Sequence, residues 1–287
     1  MSELPCNDRG ADAAPPIDDN FHRAYVGPLS EYDVGAAHQF NLLTMGLGLR
    51  EYHHLLEIGC GSLRAGRLLI PYLLPDHYCG IEPNRWLIDA GIDKELGRDL
   101  VTLRRPLFQE RSDFALGGFG RTFDYIIAQS IFSHTSQAQL LCCLRAAQAT
   151  LAPTGLFAAS FIEGEEDYSG DAWVYPEGVS FRLDTVRRLA AQAGLACRPL
   201  RWGNQNLQRW VVFHHPAHDA VLPALEETLG LRAELAAARD RLLSLKRPAL
   251  NPADYVRVRE RMLKIAEHPA VQAALREHDD LRQLLRG

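Results

Sequence analysis

The stretch LLEIGCGSLRAG, residues 55–66, decides the fold: an apolar strand, a Gly-x-Gly turn, then the start of a helix. Glycine at Gly59 and Gly61 leaves room for a ligand that a side chain would block, and the helix that follows offers free backbone amides. Two familiar readings of such a turn fail. A dinucleotide fingerprint needs glycine or alanine at the sixth position of G-x-G-x-x-G, and Arg64 stands there. A phosphate-cradling loop ending in G-K-[ST] is absent. Glu57 lies two residues before the first glycine, at the end of the strand, where a carboxylate needs a cationic or donor-rich partner. Capping of a loop is the plainer reading of the same residue.

Outward from this point, strand-like and helix-like runs alternate from about His53 to Pro216. The strand candidates are 55–59, 78–82, 100–103, 123–128, 156–161, 195–200 and 208–213, with amphipathic stretches at 63–74, 84–96, 137–151 and 184–193. The last has Asp184 as candidate N-cap, Gly194 just past its end, and Val186, Leu189, Ala190 and Ala193 on one face. Such alternation predicts an α/β domain whose parallel sheet is covered on both faces. The sixth and seventh strands follow each other without a helix, which predicts an antiparallel hairpin at the sheet edge.

Glu82 ends the second strand 25 residues after Glu57. An acid there can accept both hydroxyls of a ribose. Combined with Glu57, Gly59 and Gly61, it makes the pattern specific. Over residues 50–215 the chain resembles the class I S-adenosylmethionine-dependent methyltransferases. The resemblance rests on Glu57-Ile58-Gly59-Cys60-Gly61, on Glu82, and on the fourth-strand segment FDYIIAQSIFSH. It is nearest to bacterial small-molecule or glycan enzymes, and it implies a Rossmann-like seven-stranded sheet, mostly parallel with the last strand antiparallel. The one departure is Leu63, where many members carry a third glycine.

The resemblance implies S-adenosylmethionine as donor and S-adenosylhomocysteine as product. It implies donor contacts from Glu57, Gly59, Cys60, Gly61 and Ser62, from Glu82 and Pro83, and from Gln129 and Ser130 at the end of the fourth strand. Asp113 would meet the adenine amino group and Phe114 the ring face; a loop acid in a turn is the alternative. His134 is implied as the base that takes an acceptor hydroxyl's proton, a role that suits imidazole, or else as a cap of the helix beginning near Ser136. Tyr32 and His38 are candidates to close over the site.

The remaining segments frame this domain (51–216). Residues 1–20 are polar and aperiodic and are expected to be a disordered tail. Residues 21–50 hold a helix from about Val34 to Met45, a candidate lid. Residues 217–287 are expected to add a helical hairpin, with small or apolar residues from Val221 through Leu245 at spacings of three and four. A fresh start at Asn251-Pro252 and a kink at His268-Pro269 complete it. Its apolar stripe suits either self-association into a homo-oligomer or cover for the main domain.

Composition narrows the partners. The 287 residues carry a formal net charge of −5 and include 47% hydrophobic residues, ordinary for a chain that buries a core. No basic stripe suggests nucleic acid. Neither an Asn/Asp-Pro-Pro-aromatic run nor a Pro-Cys nucleophile for base methylation occurs. The six cysteines form no C-x-x-C pair, so neither a zinc site nor a disulfide framework is expected. The acidic loop IEGEEDYSGDAWVYPEG matches no EF-hand spacing and reads as an acceptor-facing, solvated loop, with no metal expected. With no apolar stretch at the start and none long enough to span a bilayer, the expected location is cytoplasmic, without membrane association. Methyl transfer to a hydroxyl of a small molecule or glycan is the leading expectation. Protein methylation, or a donor-binding scaffold acting through its carboxy-terminal helices, are the alternatives.

Overall fold

The computed structural model describes residues 19–202 and 208–218. Residues 1–18 of the expected tail (1–20) and residues 219–287 of the expected helical extension (217–287) lie outside the described residues. Among the described residues no helix is long and apolar enough to cross a membrane.

Leu55–Ile58 (β1) and Tyr78–Ile81 (β2) are buried along their whole length. That is what continuous apolar runs achieve in a parallel sheet covered on both faces. The remaining strands are Leu107–Gln109 (β3), Phe123–Ala128 (β4), Leu151–Glu163 (β5), Ser180–Phe181 (β6), Ala196–Pro199 (β7) and Gln208–His214 (β8). The sheet runs β3-β2-β1-β4-β5-β8-β7, with β6 beside the end of β5. β1 to β6 pair in parallel, while β8 is antiparallel to both neighbours, so β7 and β8 form the expected edge hairpin. The small strand β6 makes eight strands where seven were expected.

Among the described residues seven α-helices accompany the sheet: Phe21–Tyr25 (α1), Tyr32–Asn41 (α2), Gly66–Tyr72 (α3), Arg85–Gly91 (α4), Arg98–Arg104 (α5), Gln137–Thr150 (α6) and Leu183–Gln192 (α7). Ser136 starts α6 with a reciprocal capping box to Gln139, and Leu140, Cys143, Leu144 and Ala147 face the core at spacings of three and four. α7 buries Val186, Leu189 and Ala190, as the spacing predicts, and ends where the Leu195 N–H reaches back to the Ala190 carbonyl at 2.9 Å. Beneath them Phe132, Phe157 and Phe213 meet with ring centroids 5.4–6.2 Å apart.

Two local expectations are corrected. Residues 100–103 belong to helix α5, and the third strand is β3, following Pro106. A four-residue run with three apolar residues carries no decisive period, and α5 buries none of its residues fully. The cap of α7 is Arg182, not Asp184; Asp184 sits in the first turn, where its charge suits the helix N-terminus, and pairs with Arg187 at 3.2 Å. Asp167 of the acidic loop fixes this helix start instead. Its carboxylate accepts from the Arg182 N–H at 2.8 Å and from the Thr185 hydroxyl at 2.7 Å.

After β3 the chain returns to lay β4 against β1, on the side opposite β2. The strand order therefore reverses between β1 and β4. Crevices in open α/β sheets form outside the carboxyl ends of strands at such a reversal.

Candidate active site

At the end of β1 the chain turns through left-handed backbone three times: Gly59 (φ 71°), Gly61 (φ 52°) and Leu63 (φ 59°). A side chain on Gly59 would collide with Ile131, and a Cβ on Gly61 would lie 2.8 Å from Val26 Cγ1. Both glycines thus line a narrow cradle under those residues. Leu63 takes the left-handed conformation that a third glycine would adopt easily, a costly state for a leucine. Its side chain is fully buried and packs against Gly66 and Gly91. Cys60 and Ser62 are buried in the same turn.

Two carboxylates border the cradle, and each is only 6% exposed. Glu57 accepts a 2.6 Å hydrogen bond from Tyr78 Oη. Burial pushes its pKa up to about 7, against the opposing pull of Tyr78 and Arg64. Glu82 accepts from the Gly61 N–H at 3.1 Å and from the Asn84 backbone and side-chain N–H groups at 3.0 and 2.8 Å. Burial raises its pKa too, with those hydrogen bonds opposing. A cradle without side chains, edged by two desolvated acids, suits a ligand that carries positive charge and hydroxyls. The residues present fit S-adenosylmethionine on that ground.

At the end of β4, the Gln129 side-chain oxygen accepts from the Arg64 guanidinium and, at 3.2 Å, from Gln39. Ser130 is held in left-handed backbone (φ 59°) by a buried polar relay. Its N–H donates to Ser160 Oγ at 2.9 Å, Ser160 donates to Gln208 Oε1 at 2.6 Å, and Gln208 Nε2 returns to Ser130 Oγ. His134 follows on the same stretch. Its Nδ1 lies 2.9 Å from the Val174 carbonyl and 3.0 Å from the Glu177 carbonyl, and its ring is flanked by Trp173 and Tyr175 at centroid distances of 5.5 and 5.2 Å. Capping of α6 belongs to Ser136, so that alternative role for His134 falls away.

The amino-terminal segment lies over the glycine loop as a strap. Tyr32 donates to the Ser62 carbonyl at 2.9 Å, and the Arg23 and Arg67 guanidinium carbons lie 4.7 and 5.3 Å from the centroid of its ring. Glu95 holds Arg23 at 2.6 and 2.7 Å and His22 at 2.7 Å. Burial acts to raise the Glu95 pKa, but those bonds prevail and hold it below the ordinary value. The Arg64 guanidinium donates to the Val26 carbonyl at 3.0 Å, and Tyr175 Oη donates to the Tyr25 carbonyl. His38 lies farther along, 6.5 Å from the Trp210 ring.

The structure therefore gathers Glu57, Gly59, Cys60, Gly61, Ser62, Glu82, Gln129 and Ser130 around the reversal between β1 and β4. Pro83 directly follows Glu82. Asp113 shares no hydrogen bond with this group. It is held bidentately by Arg111 at 3.0 and 2.6 Å and accepts from Ala115 N–H at 3.1 Å, while Phe114 (φ 55°) packs against the core. Sequence reasoning missed Tyr78, whose hydroxyl meets Glu57 across two strands, and the relay of Ser160 and Gln208. It noted Arg64 only as a break in the dinucleotide pattern. No local spacing signals any of them.

Residues 56–157 match the sequence model of a family described as a methyltransferase domain. No curated protein matches the chain. Among solved structures, the magnesium protoporphyrin IX methyltransferase ChlM from Synechocystis PCC 6803, with S-adenosylhomocysteine bound, aligns at 12% identity over 69% of this chain and 97% of its own, with a TM-score of 0.51. The glycopeptide N-methyltransferase MtfA aligns at 13% identity over 63% and 94%, with a TM-score of 0.49. The sugar N-methyltransferase KedS8 from Streptoalloteichus aligns at 16% identity over 75% and 98%, with a TM-score of 0.47. Residues 56–157 thus resemble a methyltransferase domain by sequence, and the fold around the acid-edged glycine cradle is shared with ChlM.

Proposed function

We propose that the protein transfers the methyl group of S-adenosylmethionine to a hydroxyl of a small molecule or glycan, with His134 as general base. The observation that carries this reading is the hydrogen bonding of His134. Both groups facing Nδ1 are carbonyl oxygens, which only accept. Nδ1 must therefore carry the proton, leaving the Nε2 lone pair available in the neutral ring. The Trp173 and Tyr175 rings beside it supply amphipathic walls suited to a ring-shaped acceptor.

In this reading Glu57, Gly59, Cys60, Gly61, Ser62, Glu82 and Pro83 hold the donor's amino-acid and ribose portions. Asp113 and Phe114 border the adenine, and Gln129 and Ser130 line the passage to the acceptor. The sulfonium supplies an already activated methyl, so the chain aligns the reactants and removes a proton. As the acceptor oxygen bonds to the methyl carbon, the carbon–sulfur bond breaks and its electron pair returns to sulfur. Nε2 of His134 takes the hydroxyl proton.

A labelled-donor screen of metabolite and glycan hydroxyls, with amines included, tests the acceptor class. On the acceptor found, His134→Ala is expected to lower turnover roughly 10²- to 10⁴-fold, the usual worth of a positioned base. Donor affinity should hold. Turnover close to wild type, or methyl found on nitrogen alone, would overturn the reading.

A further inference from the structure

Two separate loops grip the strap where α1 ends. The Arg64 guanidinium of the glycine loop donates to the Val26 carbonyl at 3.0 Å, and the Tyr175 hydroxyl donates to the Tyr25 carbonyl. Tyr175 stands in the loop after β5, and its contact with the strap is more than one bond. The Tyr25 and Tyr175 rings lie 5.8 Å apart, Tyr25 meets Trp86 edge-on at 5.2 Å, and Phe21 stacks on Trp86 at 5.6 Å. The other side of Tyr175 is fastened to His134. Val174 N–H donates to the His134 carbonyl at 2.8 Å, and Nδ1 of His134 donates back to the Val174 carbonyl at 2.9 Å. Val179 N–H donates to the Ser133 carbonyl at 2.7 Å. Tyr175 thus joins two elements: its hydroxyl holds the strap, and its ring sits edge-on to the His134 imidazole at 5.2 Å.

The glycine loop gives this link a consequence. Val26 lies so near Gly61 that an added Cβ would be 2.8 Å from its Cγ1. The residue beside Tyr25 therefore covers the cradle, and a ligand reaching Gly61 displaces it. Lifting Tyr25 breaks its bond to Tyr175 and frees the loop whose carbonyls, at Val174 and Glu177, fix the His134 ring. An imidazole held by loop carbonyls is only as well placed as that loop, and small misplacements of a reacting group cost rate steeply. We infer that Tyr175 is a positioning residue that carries closure of the strap over the donor to His134. The imidazole takes its working orientation only when the donor is bound and the strap is shut, so the site is completed by its own first ligand. The inference rests on the donor site and on the role of His134 proposed above.

Hydrogen exchange on the full chain tests this with S-adenosylhomocysteine as the probe. In the wild type the probe is expected to slow amide exchange in residues 21–28 and in residues 164–179 together. Tyr175→Phe removes only the hydroxyl. In that variant the probe should still slow the strap but leave 164–179 at the rate of the empty protein. The imidazole signal of His134, assigned by its loss in His134→Ala, should shift with the probe in the wild type and stay in place in Tyr175→Phe. Stopped-flow tryptophan fluorescence should show the probe leaving the variant about 2- to 10-fold faster, the worth of one neutral hydrogen bond. Circular dichroism and melting verify that the variant folds, and the wild-type exchange experiment needs no variant. Exchange in 164–179 that ignores the probe in the wild type, or that slows equally in Tyr175→Phe, would overturn the inference. So would an unmoved His134 signal in the wild type, or release of the probe from the variant at the wild-type rate. A wild-type protein that bound no probe by calorimetry would instead overturn the donor site itself, while the base role of His134 is read separately from turnover.

Discussion

Glu57 carries the sharpest consequence of a single residue. Its carboxyl, desolvated at the end of β1, has its pKa pushed from 4.5 up to about 7. Below that value the empty site holds a neutral acid, which offers an ammonium little; above it the site holds a carboxylate. Donor affinity should therefore rise with pH through about 7. One unit below, with about a tenth of the sites ionised, binding should be weaker by roughly tenfold. Calorimetry across this range checks it, and Glu57→Gln should flatten the profile at the weak end. The sign for stability is opposite. A folded-state pKa above the unfolded one means that the folded chain holds a proton which the unfolded chain has released. The empty protein should lose stability as pH climbs between those two values. A donor-affinity profile that is flat with pH in the wild type would remove Glu57 from ammonium binding.

At the scale of elements, the strap of α1 and α2 is tied to the body by long-range polar contacts as well as by buried Tyr32 and Ala36 and the stacking of Phe21 on Trp86. Tyr32 reaches the Ser62 carbonyl, and Glu95, with a side chain only 3% exposed, gathers Arg23 and His22. Glu95→Gln leaves Arg23 only the longer contact to Asp33 at 3.9 Å and is expected to cost roughly 1.5–3 kcal/mol, the range for charged hydrogen bonds. Amide exchange should then quicken over residues 21–46 while β1, β4 and β5 keep their protection. Uniform loss of protection would show instead that the strap unfolds only with the sheet. The same distinction between local and distant contacts governs what could be read from the sequence. β1, β2, β4 and the hairpin of β7 and β8 were legible because their apolar runs are bounded by glycine, acid or turn residues. The run at 100–103 misled because three apolar residues and a threonine fit either period, and β6 is too short to signal at all. Glu57, Gly59, Gly61 and Glu82 were legible as a set because they lie at fixed offsets on adjacent strand ends. Arg64 stood in plain view, but its meaning depends on Val26 and Gln129, far away in sequence. The tautomer of His134 likewise depends on carbonyls 40 and 43 residues further on.

At the scale of the whole molecule, the domain that holds the site accounts for only part of the chain. The sequence from Val221 to Leu245 places small or apolar residues three and four apart, and a second helical pattern follows Asn251-Pro252. A stripe of that kind needs an apolar partner, either a second copy of the chain or another surface of this one. Residues 219–287 lie outside the described residues, so the argument for them rests on sequence alone. The family match ends at residue 157, well before this segment, so the methyltransferase assignment does not depend on it. Ending the chain after residue 218 should therefore preserve donor binding. If the stripe joins two copies, light scattering should show the truncated protein as a single copy where the full chain is a pair. If it covers the same copy, the mass per chain should stay unchanged apart from the deletion, and the truncated protein should bind more of an apolar dye. A truncated protein with the parent's assembly state, dye binding and turnover would leave the stripe with no role in either, and the segment would then act on something other than this chain.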